Sequence, residues 1–141
     1  MPVYHTQDLH LELGEEPLQD TSMNMLSFPE RGTSLVIARN PLPADQAFES
    51  VYRQQLEQLR SQLAAVVGEP EAIHCGHAQS LKALETRVQF QRGEIRSYQY
   101  QLAYAHPQAP RLMVVSYSKQ SPLNDADLAH WQAIKASLHA V

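Results

Sequence analysis

Val88-Gln89-Phe90-Gln91-Arg92-Gly93-Glu94-Ile95-Arg96-Ser97-Tyr98-Gln99-Tyr100-Gln101-Leu102-Ala103-Tyr104-Ala105 is the stretch that decides the fold. Val88-Gln89-Phe90 alternates apolar and polar residues, as a strand with two unlike faces does. Gln91-Arg92-Gly93-Glu94 has the chemistry of a hairpin turn, and alternation resumes from Ile95 to Ala105. Tyr98, Tyr100, Leu102 and Tyr104 fall on one side, and Ile95, Ser97, Gln99, Gln101 and Ala103 on the other. So short a connection joins antiparallel neighbours, because parallel strands need a crossover of about a dozen residues or more. The glutamine side requires an explanation, since buried amides are found with hydrogen-bond partners.

Downstream, His106-Pro107-Gln108-Ala109-Pro110 is a loop, and Leu112-Met113-Val114-Val115-Ser116-Tyr117 is apolar enough for a central strand. Asn124, with Asp127 three residues later, predicts an N-cap for a last helix carrying Leu128, Trp131, Ile134 and Leu138 at helical spacing. Upstream, a strand over Ala72 to Cys75 and a turn at Gly76 precede the strand from Leu81 to Phe90. Earlier still, Asp45 predicts the N-cap of the longest helix, running to about Val67 with Gly68 as its stop. Phe48, Val51, Tyr52, Leu56, Leu59, Leu63 and Val66 form its apolar stripe, with Gln55 as the odd residue inside it.

Before the helix, Leu9, Leu11 and Leu13 alternate like a strand with one buried face. Thr21 to Phe28 reads as a second strand, and Pro29-Glu30-Arg31-Gly32 as a turn. Thr33 to Arg39 returns as a third strand, broken by Asn40-Pro41-Leu42-Pro43. Together these elements predict an α+β protein: an antiparallel sheet with one long helix and a C-terminal helix packed on it. Its 141 residues fit one domain, with no internal repeat.

The net charge of −4 and the lack of a Lys/Arg cluster remove the term that supplies most nonspecific nucleic-acid affinity. No window approaches the ~20 apolar residues that span a bilayer, and Met1 to Pro17 has no signal-peptide pattern, so a cytosolic protein without stable membrane insertion is expected. Cys75 is the single cysteine, which excludes an internal disulfide and suits a reducing compartment.

His74-Cys75-Gly76-His77 is the one cluster with the elements of a thiolate or a metal site. Zinc needs a second ligand pair at a recognisable spacing, and a structural turn accounts for the same residues. Glu15/Glu16 and Glu69/Glu71 lie in turn-like segments, where solvated carboxylates are usual. With no phosphate loop, GxSxG or HExxH, the sequence offers no catalytic residue, metal or cofactor, and binding is expected in place of catalysis.

Met23 and Met25 share one strand face while Leu26 and Phe28 supply another. Two readings stand: core filling by adaptable side chains, or a face covered by a partner or second subunit. Gln55 and Gln101 carry the same pair of alternatives, a wet position at the sheet rim or an amide that meets a partner.

The runs Gln19-Asp20-Thr21-Ser22-Met23-Asn24-Met25-Leu26, Ser34-Leu35-Val36-Ile37-Ala38-Arg39, Arg53-Gln54-Gln55-Leu56-Glu57 and Gly76-His77-Ala78 resemble the effector-associated Eag chaperones of bacterial type VI secretion, which have a DcrB-like, Mog1/PsbP-like fold. The resemblance implies a cytosolic homodimer that shields the N-terminal transmembrane segments of a secreted toxin effector before loading. It places the client groove on Met23, Met25, Val36, Gln55, Leu59, Leu63 and Gln101. Two departures stand out: the turn at Glu30-Arg31-Gly32 is short, and methionines replace the branched aliphatics of the groove strand. A Mog1-like binding module for a folded regulatory protein is the alternative, and an enzyme or small-ligand carrier comes third.

Overall fold

The computed structural model of the protein describes residues 3–5, 8–19 and 21–140, so Asp20 of the first family run lies outside the described residues. Its strands are β1 (Val3–His5), β2 (His10–Glu12), β3 (Met23–Phe28), β4 (Thr33–Pro41), β5 (Val66–Val67), β6 (Glu71–Cys75), β7 (Leu81–Arg92), β8 (Ile95–Ala105) and β9 (Arg111–Lys119). Its helices are α1 (Phe48–Leu63) and α2 (Asp125–Ser137).

The hairpin that decides the fold is present. β7 and β8 pair antiparallel from Leu84 opposite Ala103 to Arg92 opposite Ile95, which leaves Gly93 and Glu94 as the loop. Gly93 has φ +63°, a conformation open to glycine at no steric cost. The main sheet has the order β3-β4-β9-β8-β7-β5, with β6 also paired to β7, and every pairing is antiparallel. As its apolar run predicts, β9 lies inside the sheet, between β4 and β8, with Leu112 to Val115 buried.

The helices cover opposite faces. Tyr52 and Leu56 of α1 pack with Leu84, Val88, Ala103, Leu112 and Val114. On the other face Trp131 of α2 packs with Tyr100, Leu102, Tyr104, Val115 and Tyr117. Asn124 and Asp127 form the expected capping box, each accepting a backbone N–H of the other at 2.9 Å. Trp131 Nε1 donates to Glu85 of β7 at 2.7 Å, and Lys135 pairs with the same carboxylate, so a buried charge on α2 is matched by an acid of the strand beneath it.

Four expectations need correction. The long helix ends at Leu63, where Ala64 turns left-handed, and Val66–Val67 joins β7 as a strand. β-branched residues pack better on a pleated surface than in a helix, so Gly68 is not the stop. Asp45 lies inside a turn closed by Gln46 N–H to the Pro43 carbonyl at 3.1 Å, and the helix starts after Ala47 without a side-chain cap. β4 continues through Asn40 to Pro41, because β3 begins only at the partner of Ala38 and leaves that end of β4 an edge, where proline is tolerated. Finally, Leu9, Leu11 and Leu13 stay exposed: β2 pairs with β1 in a separate two-stranded sheet that buries no face of theirs.

Candidate functional site

Register places residues of the early strands and of the glutamine strand in common rows. Met25 stands opposite Val36, Val36 opposite Ser116, Ser116 opposite Gln101, and Gln101 opposite Thr86. The next row runs Met23, Ala38, Val114, Ala103, Leu84, and the one on the other side Ser27, Ser34, Ser118, Gln99, Val88. Residues in one row share a face, and these rows face α1.

Helix α1 rests on β5, β7 and β8, so the β3, β4 half of this face is left open. Met23 and Met25 are 59% and 75% exposed there, and Val36, Ala38, Ser34 and Ser116 beside them are half-buried. Methionine side chains thus rise at the sheet edge over a floor of small residues. Such a floor lets a second backbone approach closely.

The orientation of α1 sets which of its residues border the open half. Arg53 reaches Glu69, just beyond β5, at 3.1 Å, so its flank faces that far edge. Gln55 projects roughly 160° from Arg53 at 100° per residue, on the opposite flank of α1. It is half-buried, and among the described residues its amide has no hydrogen-bond partner. Leu59 instead turns down into the cluster beneath the helix, and Leu63 is half-buried at the end of α1.

Gln101 is 8% exposed and lies under the helix. Tyr52 Oη donates to its Oε1 at 3.0 Å, its Nε2 donates to Gln99 Oε1 at 2.8 Å, and Gln99 Nε2 donates to Ser97 Oγ at 3.2 Å. This ladder explains the glutamine side of β8: alternate amides satisfy one another and hold Tyr52. Burial pushes the Tyr52 phenol up to about 12, against the opposing pull of the Thr86 hydroxyl, which is buried close by but completes no hydrogen bond of its own. Tyr52 therefore stays a neutral donor at physiological pH.

Of the residues read from the sequence, register brings Met23, Met25 and Val36 together on the open half, Gln55 lies on the flank of α1 away from Arg53, Gln101 lies under α1 and Leu59 is on its packed side. Sequence reading missed the floor of Ser34, Ala38, Ser116 and Ser118. Only the pairing of β4 with β9 brings them together, and no local pattern signals it.

The cluster His74 to His77 is a joint. Gly76 N–H donates to the Lys135 carbonyl at 2.9 Å and His77 N–H to the Leu138 carbonyl at 3.0 Å, docking the end of α2. A Cβ on Gly76 would meet the Leu138 carbonyl oxygen at 2.8 Å. Burial pushes the Cys75 thiol up, with Lys135 opposing, which disfavours the reactive thiolate. Among the described residues no three of His, Cys, Asp and Glu come together to hold a metal ion, and no helix is long and apolar enough to cross a membrane.

The DcrB family profile matches residues 8–137. A crystal structure of the Pseudomonas aeruginosa protein PA94, of unknown function and described as a candidate regulator, aligns over 98% of this chain and 95% of its own, with a TM-score of 0.69 and 23% identity. No match to a curated protein was found. The antiparallel sheet between two helices is thus a fold shared with PA94, and the profile match across almost the whole chain makes this protein a member of the DcrB family.

Proposed function

We propose that this protein is a cytosolic, non-catalytic chaperone that binds the N-terminal transmembrane segments of a type VI secretion effector and shields them until loading. The observation that carries the proposal is the open half-sheet, where Met23 and Met25 are exposed beside Val36. An apolar face of this kind is a docking surface. Covering it with a client helix contributes about 1.5–3 kcal/mol for each large side chain fully removed from water. Gln55 has a separate task, since polar contacts between helices are worth on the order of 1 kcal/mol and serve register more than affinity.

A photo-crosslinking amino acid at Met25 or Val36 tests this when the chain is co-expressed with an effector's N-terminal hydrophobic segment. Crosslinks to the client are expected from both positions and not from Gln132, an exposed residue of α2. Equal crosslinking from Gln132 would remove the face assignment. The alternative is a module for a folded regulatory protein, which the description of PA94 as a candidate regulator favours. Such a partner would crosslink as a folded domain, and the hydrophobic segment alone would not.

A further inference from the structure

The face of the sheet opposite the proposed client surface holds a cavity of about 390 Å3 between β4, β8, β9 and the end of α2. Its floor is apolar, built by Leu35, Ile37, Met113, Val115 and Ile134. The guanidinium-bearing Arg39 and Arg111 line the cavity with His106 and His139, and among the described residues no carboxylate does. The register explains the concentration, because Arg39 stands opposite Met113, Met113 opposite Tyr104, and Arg111 lies two residues from Met113 on the same side.

The two guanidiniums have no acidic partner among the described residues. Arg39 Nη1 donates to Asn24 Oδ1 at 2.6 Å and to the Ser22 carbonyl at 3.4 Å, both neutral acceptors. Arg111 makes no ion pair among the described residues. In a chain of net charge −4, a cavity edged by two guanidiniums and, among the described residues, by no acid is a local reversal of sign. Apolar walls with a few convergent polar groups, at a volume above the ~300 Å3 lower end for ligand pockets, are the features of a small-molecule site.

We propose that this cavity binds a small aliphatic carboxylate, its chain on the Ile37, Met113 and Val115 floor and its carboxylate between Arg39 and Arg111. A planar carboxylate matches the guanidinium fork in both charge and shape. The site is independent of the client surface.

The test uses the full chain with 13C-methyl methionine, titrated with decanoate, decanol and decyltrimethylammonium below their micelle concentrations. Decanoate should saturate one site and shift the Met113 methyl, leaving Met23 and Met25 unmoved, with decanol and the cation at least tenfold weaker. Arg39→Gln with Arg111→Gln should weaken decanoate at least tenfold at unchanged melting temperature. Ser137→Trp, at the exposed mouth, should weaken it as well. Absence of saturable Met113 shifts in the wild-type chain, equal affinity for the cation, or unchanged affinity in the double arginine variant would each overturn the proposal. Shifts at Met23 and Met25 alone would place the amphiphile on the client face and overturn it too.

Discussion

Gln55 and Gln101 carry the same amide in opposite settings. Gln101 accepts from a buried tyrosine and donates to Gln99, so it belongs to the framework beneath α1. Gln55, half-buried on α1, has no hydrogen-bond partner among the described residues and so has spare hydrogen-bonding capacity. Gln101→Leu leaves the Tyr52 hydroxyl buried without its acceptor, and a loss of about 1–3 kcal/mol is expected in urea unfolding. Adding Tyr52→Phe should return much of it, because removing both partners of a buried bond costs less than removing one. Gln55→Ala should leave stability within about 0.5 kcal/mol and weaken client retention. If Gln101→Leu proved neutral, the ladder would not be a stabilising element. The alternation of Ser97, Gln99 and Gln101 is legible in the sequence. That Gln101 turns inward to Tyr52 is not, because it depends on where α1 comes to rest, 49 residues away in the chain.

At the scale of elements, α2 shows how local and distant chemistry divide. Its start was readable, since Asn124 and Asp127 are three residues apart and cap one another whatever the sheet does. The end of α1 was not, since Val66 and Val67 continue a helical spacing and become strand only because β7 offers an edge. Helix α2 also holds two groups that are expected to make the fold acid-sensitive. Burial holds the His130 imidazole below its usual range, assisted by Arg31 and opposed by Asp127, while its Nδ1 meets Tyr117 Oη at 2.8 Å. Burial raises the Asp127 carboxyl, but the Asn124 N–H and Lys119, with Arg31, bring it below the ordinary value.

In both groups the folded state binds fewer protons than the unfolded chain between the two pKa values, so stability rises with pH across each window. Stability should therefore fall as pH drops below the ordinary histidine value of about 6.5, and again below the ordinary aspartate value of about 3.9. Chemical denaturation at a series of pH values measures both steps. His130→Gln should abolish the upper one and leave the lower. A variant that kept the upper step would assign it to another histidine.

For the whole molecule, the two faces of the sheet have different occupants. Aromatic side chains and α2 fill one, with the basic-rimmed cavity at its end. Helix α1 fills half of the other and leaves Met23, Met25 and Val36 uncovered. β3 is also an edge strand with Leu26 exposed on its second face, a surface that natural proteins cover or pair. A homodimer is therefore expected, and sedimentation equilibrium should give about twice the 15.9 kDa chain mass at micromolar concentration. A monomer at those concentrations would mean that one copy must cover a client alone.

The central claim is that the Met23 and Met25 face holds the hydrophobic segment. Its most direct test is co-expression of Met23→Asp, Met25→Asp with an effector's N-terminal segment, followed by pull-down, with Cys75→Ser as a second variant. The predicted result is a folded double variant, melting within a few degrees of the wild type, that recovers no client, while Cys75→Ser recovers it in full. Undiminished client recovery by the double variant would contradict the account.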